Sequence, residues 1–98
     1  MAMDLRQYYK YYLTLHQNIN CRRLHFAGQW VTLFFLFWVL YTNTLYLLPL
    51  ALFVIYPFAW TGHFFFEKNE PAAFKAPVKA KICDWIMFKD IILGRIKI

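Results

Sequence analysis

The sequence predicts an all-α fold: a small helical membrane protein, with a two-helix transmembrane hairpin flanked by amphipathic N- and C-terminal helices. Three observations predict it. Hydrophobic residues make up 61% of the 98 residues and aromatics 22%, above the roughly half-apolar composition of soluble domains, and a single domain of residues 1–98 has little interior in which to hide them. The surplus lies in two runs, Phe26 to Tyr41 and Leu45 to Phe66, neither of which contains Asp, Glu, Lys or Arg. The basic residues stand outside the runs, with no charge in the YTNT connection between them.

Taken in order, Asp4 to Gln17 is helical by pattern. Leu5, Tyr8, Tyr9, Tyr12 and His16 fall on one stripe at steps of three and four, with Arg6, Lys10, Thr14 and Gln17 opposite, so His16 faces inward. No signal peptide is expected, since Met1 to Asn20 is polar and aromatic. Asn18 to Asn20 breaks the pattern, and a second helix starts near Cys21 or Arg22 and crosses the membrane over residues 24–42. The YTNT turn reverses it. The return helix, 45–66, spans a hydrocarbon core of about 30 Å at about 1.5 Å per residue. Pro49 sits near its first turn, where proline is tolerated, whereas Pro57 lies deep inside and is expected to kink it. Lys68 to Pro77, with its two prolines, is a connection. Lys79 to Ile98 then places Ile82, Trp85, Ile86, Ile92, Leu93 and Ile96 on one side and Lys81, Asp84, Lys89 and Arg95 mostly elsewhere, as for an interfacial helix or one packed on the hairpin.

Lys and Arg on both flanks predict an integral membrane protein, in the inner membrane if the chain is bacterial, with both termini cytoplasmic. The net charge of +6 then points to anionic headgroups and the lipid bilayer as partner, not to nucleic acid. Cys21 and Cys83 fall on the reducing side and are read as small buried or interfacial residues, not a disulfide.

This topology gathers the histidines. His25 opens the outgoing helix, His63 closes the returning one, and His16 arrives from the preceding amphipathic helix at the same membrane boundary. Glu67 follows His63 at the i,i+4 spacing that shares a helix face. Three imidazoles and a carboxylate suit Fe(II), Zn or Mn; as alternatives, each histidine is an interfacial hydrogen-bonding group, and Glu67 is a solvated acid paired with Lys68 or an arginine. Asp84 either orients a histidine or pairs with Arg22 or Arg23. Asn69 holds the turn before Pro71.

The stretches YYLTLHQNINCRRLHFAGQ and YPFAWTGHFFFEKNEPAAF, with a later D-W-x-M-F and Gly-Arg, resemble the DUF962, or Mpo1-like, family across nearly the whole chain. The anchors are His16 and His25, separated by eight residues, and the block A-W-x-G-H-x-x-x-E-x-N-x-P. The resemblance implies an Fe(II)-dependent dioxygenase that shortens 2-hydroxy fatty acids by one carbon, using O2. It carries His16, His25 and His63 over as the matched histidines and Glu67 as the matched acid. On this reading Glu67 or Asp84 handles protons, and Arg22, Arg23, Lys68 and Asn69 meet the substrate. Departures at Glu70, PAAF and AKICDW leave the histidine set untouched. Two other classes compete: a non-catalytic module binding lipid or a partner protein, and a haem electron carrier with two axial histidines. One hairpin encloses little of an alkyl chain, so a homo-oligomer is expected.

Overall fold

The computed structural model describes residues 4–98; the first three residues of the expected 1–98 domain lie outside the described part. All regular structure among the described residues is helical, as the sequence predicts. α1 spans Leu5–Thr14 and α2 Ile19–Thr42. A 3-10 segment, Leu45–Leu52, leads into α3, Ile55–Thr61, which continues as a π-helical segment, Gly62–Glu67. A 3-10 turn, Ala72–Phe74, precedes α4, Pro77–Ile92.

Asp4 starts α1 with a capping box, its side chain accepting from the Gln7 N–H while the Gln7 side chain accepts from the Asp4 N–H. The helix ends at Thr14, short of Gln17, because the Leu15 and His16 N–H groups bond three residues back, to Tyr12 and Leu13, tightening the last turn. Of the expected stripe, Tyr8 and Tyr12 are buried but Leu5 is exposed. α2 starts at Ile19, earlier than expected, because the Asn18 side chain accepts from the Asn20 N–H and caps it. It closes at Asn43, in the left-handed conformation (φ 55°), within the predicted YTNT turn.

The return helix differs from the expected single rod. Pro57 has no N–H to give to the Phe53 carbonyl. The Tyr56 N–H takes that carbonyl at 3.2 Å, so Leu52, its partner in an unbroken α-helix, is left over. Lys81 of α4 donates its Nζ to the Leu52 carbonyl at 2.6 Å. The break therefore falls ahead of Pro57, which stands in the first turn of α3 and does not kink it from within; a neighbouring helix satisfies the freed backbone group, as apolar surroundings require.

Ile19–Thr42 and Leu45–Glu67 are each long and apolar enough to cross a membrane, with mean hydropathy 1.4 and 1.6. The core helix of a soluble protein is mostly buried, whereas these stretches are 28% and 17% buried. Toward the turn the arms bury Val39, and the closest backbone approach is at the end of the hairpin that carries the histidines. There Gly28 and Gly62 let the two arms touch: a Cβ on Gly28 would lie 2.9 Å from the Phe58 Cβ, and one on Gly62 would lie 2.8 Å from the Cys21 Sγ and 3.1 Å from its Cα. At the turn end Phe34, Phe37, Tyr41, Tyr46 and Phe53 stand bare.

α4 packs on the hairpin and on α1. Phe88 meets Phe26 and Trp30, the Tyr9 hydroxyl donates to Asp90 at 2.6 Å, and Tyr8, Tyr12, Ala72, Ala80, Cys83, Met87 and Ile91 form one core cluster. This corrects the face expected for the last helix. Ala80, Cys83, Asp84, Met87, Phe88 and Ile91 are inside, while Ile82, Ile92 and Leu93 are exposed. The reason is the set of neighbours: tyrosines from α1 meet α4 over Ala80, Cys83, Met87 and Ile91, and Phe26 and Trp30 of α2 meet it at Phe88, so the inward face is the one that carries these residues.

Gly62→Ala is expected to destabilise the protein by about 1–3 kcal/mol through overpacking against the Cys21 backbone, read as a lowered thermal midpoint in detergent; an unchanged midpoint refutes the close approach.

Candidate metal centre

His16, His25 and His63 come together and are almost fully buried, at 1%, 2% and 1% exposure. Each arrives from a different element. His16 lies just beyond α1, its ring stacked on Tyr12 with centroids 4.0 Å apart. His25 is on the second turn of α2, and His63 is on the π-helical segment. The wide turn there ends with the Lys68 and Asn69 N–H groups both bonded to the His63 carbonyl and Lys68 in the left-handed conformation (φ 61°), which brings the Asn69 side chain back over the His63 ring.

The hydrogen bonds settle the tautomers. His16 Nδ1 is 2.7 Å from the Tyr12 carbonyl and His25 Nδ1 is 2.8 Å from the Cys21 carbonyl. A carbonyl only accepts, so each Nδ1 carries its proton. Asn69 Nδ2 donates to the Leu15 carbonyl at 3.1 Å, so Oδ1 is the atom 2.7 Å from His63 Nδ1 and accepts from it. Each neutral ring is therefore left with a lone pair on Nε2. The Nε2 atoms of His16 and His25 face each other at 3.2 Å, and the His63 ring centre lies 4.5 Å from that of His16 and 5.2 Å from that of His25. Two lone pairs at that distance do not bond to each other, whereas a proton or a metal ion between them would engage both. A proton on His16 is disfavoured, since burial and then His25 and His63 hold its pKa well below 6.5.

Cys21 joins this group, one ligand atom each from His16, Cys21, His25 and His63 lying within 4.8 Å of one another. Reading the sequence for metal-site spacing missed it. Its signal was the i,i+4 step from Cys21 to His25 on α2, and its Sγ is 3.7 Å from His25 Nδ1. Cys21 and Cys83 are both free and buried.

Of the other expected site residues, Glu67 accepts from the Asn18 N–H, tying the end of the π-helical segment to the start of α2, and is not in the donor group. Arg22 donates to the His16 carbonyl at 2.6 Å and to the Lys97 carbonyl; it braces the histidine turn and is not directed at Asp84. Arg23 and Lys68 are exposed. Asn69 orients His63.

A cavity of about 30 Å³ opens onto the three histidines, lined also by Tyr12, Tyr56, Trp60, Lys81 and Asp84. That is room for an ion or a water or two. It leaves no place for a haem ring, and the 3.2 Å approach of two imidazoles sets the haem reading aside. A larger cavity of about 230 Å³ lies behind it, between α1 and the 69–76 loop, and no histidine lines it.

Asp84, 7% exposed, has an Oδ1 without a hydrogen-bond partner, as does the nearby Gln29 Nε2. Burial pushes its carboxyl up from 3.8 to about 7, against opposing effects of Lys81, Tyr12 and Gln29.

The fold and these donors define a class: a small all-α protein whose apolar helical hairpin carries, at its packed end, a buried three-histidine cluster able to hold a metal ion. The chain belongs to the Mpo1-like family, whose sequence model, described as 2-hydroxy-palmitic acid dioxygenase Mpo1-like, matches residues 2–96. No curated protein and no solved structure matches the chain.

Asp84 gives a pH-dependent stability whose sign follows from its raised pKa. The folded chain keeps the proton where the unfolded chain has lost it, so stability drains away as pH rises from about 4 to about 7. Asp84→Asn is expected to remove this slope and to stabilise the protein by about 1–3 kcal/mol at about pH 8 relative to about pH 5, checked by denaturation at both pH values beside the parent chain; equal slopes in the two proteins refute it.

Proposed function

We propose that the protein is a membrane-embedded, metal-dependent dioxygenase that removes one carbon from 2-hydroxy fatty acids, with Fe(II) as the metal, and Zn or Mn as the other ions the donors suit. The observation that carries this reading is the pair of unprotonated Nε2 atoms facing each other at 3.2 Å, both tautomers dictated by backbone carbonyls on the far side of the rings.

His16, His25 and His63 would hold the ion, and the carbonyls of Tyr12 and Cys21 with the Asn69 amide would fix ring orientation and raise ligand basicity. Iron, when bound, supplies the reaction with O2 that a closed-shell hydroxy acid lacks by itself. Breaking the bond between the first two carbons balances with one O2 per substrate, giving the shorter acid, CO2 and water. Asp84, which lines the cavity and has Oδ1 unpartnered, would take or return the hydroxyl proton. Glu67 acts through the fold, since its carboxylate is engaged by Asn18. Tyr56, Ala59 and Trp60 present an apolar wall that keeps bulk water from the reacting end.

The bare turn end of the hairpin would enter the bilayer, with both termini on the cytoplasmic side where the basic residues gather. The substrate then arrives laterally from lipid, and a second copy of the chain would cover alkyl surface that one hairpin leaves open.

Protein purified without oxygen is expected to carry about one iron per chain and to consume O2 one for one with a 2-hydroxy fatty acid. His25→Ala should lose both, and Asn69→Ala should weaken iron binding about 10–100-fold while leaving the helix content intact. Elemental analysis, circular dichroism and an oxygen electrode read these outcomes. A folded, metal-free parent protein with native lipid retained would favour a lipid- or partner-binding module instead.

A further inference from the structure

A fatty-acid substrate carries a carboxylate that a cation of the chain should meet. The cations expected from the sequence do not: Arg22 is committed to two backbone carbonyls, and Arg23 and Lys68 are exposed and absent from the cavity wall. The cavity has a cation of its own, Lys81, on the side where α3 meets the start of α4.

We propose that Lys81 is the substrate-binding residue that recognises the carboxylate of a single-chain fatty acid, whose head enters the histidine cavity between α3 and α4 while its tail stays outside. This deepens the dioxygenase reading and rests on it.

Size comes first. A cavity of about 30 Å³ admits no alkyl chain, so the tail must lie along the opening. Apolar surface adjoins it: Trp60, which lines the cavity, is exposed and packs edge-on against the exposed Phe74 at 5.5 Å.

The ammonium of Lys81 is held at this opening. It gives one N–H to the Leu52 carbonyl at 2.6 Å and lies over the Tyr56 ring, 4.9 Å from its centre. An ammonium has three donors, and two remain for a carboxylate. An anion also relieves a cation that apolar surroundings disfavour, seen in the lowering of the Lys81 pKa by burial.

Asp84 lies three residues further along α4 and also lines the cavity. Burial raises its pKa to about 7, so it repels an incoming carboxylate less than an ordinary aspartate would. Lys81 and Asp84 thus share one face of α4, and both line the cavity with the histidines.

The test is isothermal titration of laurate and of dodecanol, equal in chain length and different in charge, into detergent-solubilised protein at about pH 7. The parent chain should bind laurate about tenfold more tightly, the size of effect that one charge-assisted hydrogen bond supplies. Lys81→Gln keeps an N–H for the Leu52 carbonyl but no charge, and should bind both ligands alike. Lys81→Arg should restore the preference, and Arg23→Gln and Lys68→Gln should leave it unchanged. Iron content should be the same in all five proteins. A folded Lys81→Gln that still prefers laurate overturns the role of Lys81 alone; a parent chain that binds neither ligand overturns the fatty-acid reading beneath it.

Discussion

The structure turns on the direction of three imidazole rings. Each Nδ1 is anchored outward, to the Tyr12 carbonyl, the Cys21 carbonyl and the Asn69 amide, and each Nε2 is thereby forced inward. Facing acceptors are unfavourable by themselves, since a buried lone pair without a partner costs about 1–3 kcal/mol. The arrangement persists because every anchor is part of something else: the end of α1, the first turns of α2, and the loop after the π-helical segment. Arg22 holds the His16 carbonyl, Glu67 holds the Asn18 N–H, and Asn69 ties His63 to Leu15. The cluster and the junction of the helices are one network.

That junction is where the protein spends its packing. Helices in apolar surroundings gain little from the hydrophobic effect and associate through close contact and hydrogen bonds. Both devices appear here. Gly28 and Gly62 bring the hairpin arms together, and Lys81 and Tyr9 make polar ties from α4 to the return helix and to α1. The turn end has neither device, and its aromatic side chains are exposed. The molecule is thus a closely packed base carrying the site and an apolar projection whose aromatic side chains are exposed.

Much of this was legible in the residue order. Two charge-free runs separated by YTNT specify a hairpin, and the positions of His16, His25 and His63 relative to those runs place all three at one level. What misled was local. The stripe on the last helix put its isoleucines inside, but periodicity does not know which face the tyrosines of α1 meet. Pro57 marked an irregularity without saying where it would fall; the break precedes it because the Tyr56 N–H moves to the Phe53 carbonyl. Glu67 shares a spacing with His63, yet its carboxylate goes to the backbone of Asn18, a partner 49 positions away in the chain.

The sequence by itself determined the family, the helical class, the hairpin and the histidine set, because each follows from short-range pattern or from an ordered motif. Only the tertiary structure decided the ring tautomers, the entry of Cys21 into the donor group, the burial of Asp84 and the arrival of Lys81 at the cavity. These depend on which carbonyls and side chains from distant segments are left without partners once the helices pack, and no periodicity along one segment carries that information.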